Sequence, residues 1–176
     1  MGFNESEALL INVISGGLSI VAVTATLQLV DRIGRKPLLL IGSVGMSVSL
    51  AILVLAFLNA TVDESGTLAM TGIYGPLALV AANVYVMFFN ASWGPVMWVM
   101  LGEMFPNQIR GAGLAVCGLA QWGTNFLITV SFPVLLTSIG LAGAYGVYTA
   151  GAVLSVLFVI KMVHETRGLE LEQMQG

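Results

Sequence analysis

Five stretches of this chain, Ala8–Val30, Leu38–Leu58, Pro76–Leu101, Gly113–Leu136 and Ala144–Val163, hold a single charged residue between them, Lys161. Each has roughly 20 residues or more, enough for a helix to cross a hydrocarbon layer of about 30 Å. Strict polar alternation is absent and the stretches are too long for strands. A helix also satisfies its own backbone in lipid, which an isolated strand cannot do. Charged residues make up 9% of the chain and hydrophobic ones 57%, against about 25% charged in ordinary soluble domains. Fifteen formal charges could not clothe a soluble fold of 176 residues. The fold class is therefore all-α, a polytopic membrane protein with five transmembrane helices.

The connections set the expected orientation. Three of the six basic residues sit in Asp31–Pro37, Arg110 follows the third stretch, and Lys161 and Arg167 lie at the C-terminal end. The alternate segments, namely the N-terminus with Glu5 and Glu7, Asn59–Thr67 with Asp63 and Glu64, and Thr137–Gly143, contain no Lys or Arg. The positive-inside rule then puts the N-terminus outside, and residues 164–176 form a cytoplasmic tail. Met1–Val30 has neither a basic leader nor a small-residue cleavage pattern, so it reads as a span and not a signal peptide. An odd number of crossings that begins outside points to further helices upstream. The lone Cys117 permits no disulfide framework.

Local signals punctuate the spans. Gly34 suits a left-handed cap after the first helix and Pro37 the first turn of the second. Asn59 to Gly66 reads as a simple outer turn. Small residues recur four apart at Ser15/Ser19, Ser43/Ser47 and Gly146/Ala150, a spacing that lets helices approach closely in lipid or arises by chance among 21 glycines. In the third span Gly94-Pro95 predicts a kink, because proline removes a backbone hydrogen bond. Trp93, Trp98 and Asn90 flank it. In the fourth span Gln121, Thr124 and Asn125 share a face beside Trp122. Buried amides need partners, so this group is either glue between helices or a site for a neutral ligand with several hydroxyls. Indole and amide groups supply donors and acceptors without net charge.

Catalytic constellations are missing. His164 is the only histidine and lies at the end of the last span, where a solvated interfacial role accounts for it. The sequence offers no Cys/His cluster, phosphate-cradling loop or nucleophile–base pair, so it implies no enzyme, no cofactor and no metal. The basic loops are too short and too poor in aromatics to bind nucleic acid.

Four motifs, in order, resemble those of the sugar porters of the major facilitator superfamily. Asp31-Arg32-Ile33-Gly34-Arg35-Lys36 resembles the D-R-x-G-R-[RK] loop between helices eight and nine. Trp93-Gly94-Pro95-Val96-Met97-Trp98 resembles the tenth-helix G-P-x-x-W element. Glu103 to Gly111 resembles E-x-F-P-x-x-x-R-G, and His164 to Leu169 the P-E-T-[KR]-G-L tail. The wording around Ser92–Arg110 and Ala120-Gln121-Trp122 is similar to bacterial proton-coupled pentose and hexose symporters. The resemblance covers nearly the whole of residues 1–176 as helices eight to twelve, most of a six-helix C-terminal half.

That resemblance implies carbohydrate transport across the cell membrane by alternating access, as a C-terminal fragment of a sugar:proton symporter. The partners it implies are a pentose or hexose, protons, the bilayer and the N-terminal helices of the same carrier. It assigns Trp98 and Gln121 to sugar contact, with Gly94, Trp122, Asn125 and Asn90 lining the same cavity. Departures from the pattern are Ser19 where relatives often carry Asn, Asn90 where some carry Glu, Met97 for a frequent Pro, and His164 for the tail Pro. Asp31, Arg32, Arg35, Glu103, Arg110, Glu165 and Arg167 would form ion pairs that close the inner gate. Such pairs are worth about 0–1 kcal/mol each when exposed, yet several together bias two states a few kcal/mol apart. The alternatives are a non-transporting membrane scaffold or a truncated product without activity.

Overall fold

The computed structural model describes residues 5–62, 68–70 and 72–165, so Arg167 and the tail beyond residue 165 lie outside the described residues. The element order is α1 (Glu5–Ile33), α2 (Arg35–Leu58), β1 (Thr61–Val62), β2 (Leu68–Ala69), α3 (Tyr74–Asn90), α4 (Trp93–Met104) and α5 (Arg110–Met162). Four helical segments are long and apolar enough to cross a membrane, with α3 and α4 counted as one. The fourth, α5, is two helices joined at Gly140, where φ 72° and ψ 176° are non-helical. Only glycine takes that conformation readily. Its limbs, 110–139 and 141–162, bring the number of crossings to the expected five.

Three local expectations need correction. The helices extend several residues beyond the apolar runs, because a helix ends where a cap or break stops it and not where hydropathy falls. The outer connection is an antiparallel pair of two-residue strands, Thr61 opposite Ala69 and Val62 opposite Leu68. Gly34 has φ 102° and ψ 163°, outside the left-handed helical cap, and its N–H still donates to Val30 O at 3.1 Å. The second helix starts at Arg35, one residue later, so Pro37 falls within its first turn, where no N–H is needed.

The packing centres on α2, which runs opposite to both α3/α4 and the second limb of α5. One apolar cluster, near the loop at residue 34, joins Val30, Leu38, Leu39, Val96, Met100, Val159 and Val163. A second, toward the hairpin, joins Leu50, Leu53, Ala56, Phe57, Ala78 and Ala81, with Tyr145 and Tyr148 packed against it. Phe57 and Tyr145 rings lie 5.0 Å apart. The α2–α3 approach is close because Gly42 and Gly45 carry no side chain: a Cβ at either would collide with Ser92 or with the Phe88 ring.

Hydroxyls and amides stitch α1 to the third span. Ser15 Oγ donates to Asn83 Oδ1, and Asn90 Nδ2 donates to Ser19 Oγ at 3.0 Å. Ser43, fully buried on α2, accepts the Trp93 indole N–H at 2.8 Å. Gly146, by contrast, has open space where its side chain would be, so the Gly146/Ala150 pair makes no close helix contact there.

Candidate functional site

The third span does not bend at Gly94-Pro95 but breaks at Ala91-Ser92, between α3 and α4. The cause is still Pro95. It has no N–H to give the carbonyl four residues back, Ala91 O, and its ring crowds that group. The carbonyl is not left bare: Thr26 Oγ1 on α1 lies 2.8 Å from Ala91 O and 2.9 Å from Ala22 O. Ser92 Oγ donates back to Phe88 O at 2.6 Å. A broken backbone at membrane depth is thus held against protein, as it must be.

The break sorts the two tryptophans. Trp93 turns to α2 and spends its N–H on Ser43. Trp98 stays more than a third exposed. A Cβ added at Gly118 would lie 3.8 Å from the Trp98 ring, so α4 and the first limb of α5 meet there. Gly118, Gln121, Trp122 and Asn125 follow at i, i+3, i+4 and i+7, on one face of that limb. Trp122 and Asn125 are exposed, while Gln121 is half-buried and its Oε1 has no hydrogen-bond partner among the described residues. A Cβ at Gly94 would make ordinary contact, 3.4 Å from Phe89 O. Asn90 is committed to Ser19. The structure therefore brings Trp98 to the Gln121 face and ties Asn90 to its neighbour.

At the opposite, charged end the geometry is dense. Arg35 holds Glu103 with two bonds, Nη2 to Oε1 at 2.6 Å and Nε to Oε2 at 3.1 Å. Its Nη2 also meets Asp31 Oδ1 at 3.1 Å, and Nη1 donates to Val30 O at 3.3 Å. Glu165 accepts the backbone N–H groups of Arg35 and Lys36, at 2.9 and 3.1 Å. A carboxylate here satisfies two orphan donors of α2 and meets the positive end of its dipole. Gly34 makes room for it, since a Cβ there would lie 2.6 Å from Glu165 Oε2.

The seven charges thus fall into groups. Asp31, Arg35, Glu103 and Glu165 converge on the start of α2. Arg32 is exposed. Arg110 donates from Nε to Phe105 O at 3.1 Å, and its buried Nη2 lacks a partner among the described residues. No group of three His, Cys, Asp or Glu suited to a metal occurs among the described residues. Sequence reasoning missed the roles of Thr26, Ser19 and Ser43 as partners. A signal for the first two was present: Ser15, Ser19, Ala22 and Thr26 recur at steps of four, three and four, one helix face.

An apolar cavity of about 820 Å³ lies elsewhere, among α2, α3 and both limbs of α5. None of Trp98, Gln121, Trp122, Asn125, Asn90 and Gly94 lines it.

Comparison with known proteins gives concordant matches. The sequence model of the family "Sugar (and other) transporter" matches residues 1–176. A glucose transport protein of Synechocystis sp. is 49% identical over 174 residues, covering 99% of this chain and 37% of the relative. A D-xylose-proton symporter of Escherichia coli is 35% identical over 182 residues, covering 100% of this chain and 35% of the relative. The solved structure of the proton:xylose symporter XylE bound to 6-bromo-6-deoxy-D-glucose superposes with TM-score 0.82 at 35% identity, over 99% of this chain and 35% of that one. The inward-open form of XylE from E. coli gives 0.79. The chain thus spans a little over a third of the length of these relatives.

Proposed function

The chain belongs to the sugar transporter family, and from that premise we propose that it supplies most of the C-terminal half of a carrier for a neutral pentose or hexose. The observation that carries the reading is Gln121 Oε1, a buried acceptor without a partner among the described residues, one turn from the contact of Trp98 with the first limb of α5. A buried amide oxygen left unmade costs about 1–3 kcal/mol, and a sugar hydroxyl removes that cost by donating to it. Trp98, Trp122 and Asn125 supply stacking faces and further donors on the same side. Every charge of the described third and fourth spans lies at their ends, Glu103 and Arg110, so the face is neutral, as an uncharged solute requires.

Proton coupling is the activity named for the E. coli relative, and we extend it to the complete carrier of which this chain would form part. The charged end would be cytoplasmic by the positive-inside rule, in the plasma membrane. There Asp31, Arg35, Glu103 and Glu165 form one side of a latch that holds the inner gate closed, with Arg32 and Arg110 toward the other carrier half.

The test is a hybrid in which this chain replaces the matching third of the Synechocystis glucose transport protein, expressed in cells that lack glucose uptake. We expect uptake of labelled glucose above background, lowered tenfold or more by Gln121→Ala and by Trp98→Ala. A hybrid that reaches the membrane and binds sugar equally with and without Gln121 would refute the assignment.

A further inference from the structure

The break in the third span is held from the α1 side. Asn90, the last residue of α3, donates to Ser19 Oγ at 3.0 Å, and Thr26 Oγ1 reaches Ala91 O at 2.8 Å. Ser19, Ala22 and Thr26 stand at i, i+3 and i+7, so one face of α1 meets both residues. Thr26 is only 3% exposed, although its side chain is polar. Burial of that degree asks for a partner, and the partner here belongs to another helix.

In a helix a threonine hydroxyl ordinarily bonds the carbonyl four residues back. Thr24, Thr124 and Thr149 do so, at 2.8 Å in each case. Thr26 has that carbonyl too, Ala22 O at 2.9 Å, but it has one proton for two acceptors. The two acceptors differ in need. Ala22 O lies inside α1 and receives the backbone N–H of Thr26 as part of the helix, whereas Ala91 O has lost its donor to Pro95. A bare carbonyl at membrane depth is the costlier omission, so the proton belongs on Ala91 O.

The helix α4 begins immediately after this contact. Trp93, Val96 and Met100, at i, i+3 and i+7, hold one face of it to α2 through the Ser43 bond and an apolar cluster. Trp98 stands on the opposite face and meets the first limb of α5, where a Cβ on Gly118 would lie 3.8 Å from its ring. It is seven residues beyond Ala91, about 10 Å along a helix, so a swing of about 10° at the break would carry it about 2 Å. A gap of that size forfeits a van der Waals contact.

We propose that Thr26 is a positioning residue for the sugar site: by donating to the carbonyl that Pro95 leaves unserved, it fixes the angle between α3 and α4 and so holds Trp98 beside Gln121. It acts through the backbone of α4 and not by contact with the sugar. The inference rests on the reading of Trp98 and Gln121 as sugar contacts and adds what keeps them together.

Two readouts test it: glucose uptake by the hybrid carrier, and fluorine resonances of the full chain labelled with 5-fluorotryptophan, assigned by single tryptophan-to-phenylalanine changes. Thr26→Val keeps the shape and removes the hydroxyl. It should raise KM for glucose about fivefold, with the maximal rate per folded carrier within twofold, and should move the Trp98 resonance. Thr26→Ser retains a donor, and Thr24→Val removes a hydroxyl bonded within α1; both should keep KM within twofold and leave Trp98 in place. A role in stability alone would lower the amount of folded carrier and leave KM unchanged. An unmoved Trp98 resonance in Thr26→Val, or a Thr26→Ser carrier as impaired as Thr26→Val, would overturn the proposal. Pro95→Ala returns a backbone N–H to Ala91 O, and in that background Thr26→Val should no longer move the Trp98 resonance; a full shift there defeats the proposal. If Thr26→Val leaves no folded chain, Pro95→Ala must restore folding, and failure to do so defeats it as well. A hybrid that takes up no glucose with Thr26 intact removes the transport reading alone, because the Trp98 resonance still decides what Thr26 holds.

Discussion

α2 and the first limb of α5 are both apolar helices long enough to cross a bilayer, yet they are used in opposite ways. Ten residues of α2 are buried, from Leu38 to Phe57; Gly42 and Gly45 face Ser92 and Phe88, Ser43 meets Trp93 of α4, and apolar side chains of α2 meet the second limb of α5. No residue of 110–139 is fully buried, and its polar face carries an unmatched amide oxygen. Apolar composition therefore says that a helix crosses, but not what it meets. In lipid a face packed on protein and one facing acyl chains are equally apolar, and small or polar residues mark the packed ones.

The comparison can be broken by substitution. The largest expected effect is Gly42→Val, which drives two methyl groups and a Cβ into Ser92 at the helix break. Overpacking of this kind costs about 3 kcal/mol or prevents assembly, read as loss of the cooperative transition in denaturant titration of the detergent-solubilised chain. Its counterpart, Gly123→Ala in the first limb, meets nothing within 4 Å and should be neutral or slightly stabilising. A similar loss from both would erase the distinction.

Next in size is Arg35→Ala. The Arg35 side chain is 11% exposed and Glu103 25%, so removing the cation leaves a partly buried carboxylate uncompensated. We expect about 2 kcal/mol, less than for a fully buried pair because water screens one side. Glu103→Gln in the same background should recover part of it, which a double-mutant cycle measures. Ser43→Ala is smaller, about 1 kcal/mol, because it strands the buried-side indole N–H of Trp93. Retention of a blue-shifted Trp93 emission with full stability would show that bond to be dispensable.

The smallest effect on stability sharpens the contrast most. Gln121→Leu removes an oxygen that has no partner among the described residues, so the isolated chain should hold its stability or gain about 0.5 kcal/mol, while uptake by the hybrid carrier collapses. Destabilisation of the chain by 1 kcal/mol or more would mean that Gln121 is interhelical glue instead of a ligand group.

Much of this was legible in the sequence, and the failures have specific causes. The five crossings were visible because apolar length is a one-dimensional property. Gly94-Pro95 predicted a kink at that point, but proline acts on the carbonyl four residues earlier, so the helix breaks at Ala91-Ser92. Gly34 was recognised as a special backbone position, but its ψ and the carboxylate that fills its empty side depend on Glu165, 131 positions along the chain. Asn90 and Ser19 looked like two separate departures in a cavity, and they turned out to be bonded to each other. Trp93 and Trp98 looked alike and point to different helices.

The sequence by itself determined that the chain is a bundle of five membrane-crossing helices, with all six of its basic residues toward one end. Those facts follow from the cost of placing charge and bare backbone in hydrocarbon, which each segment meets on its own. Only the tertiary structure decided which polar groups are consumed and which are left. A hydroxyl or amide in a helix can bond to its own turn, to a neighbour or to a ligand at similar energy, and the choice is made by whichever helix lies opposite. Ser43 found Trp93, Thr26 found Ala91, and the Gln121 oxygen found no partner among the described residues.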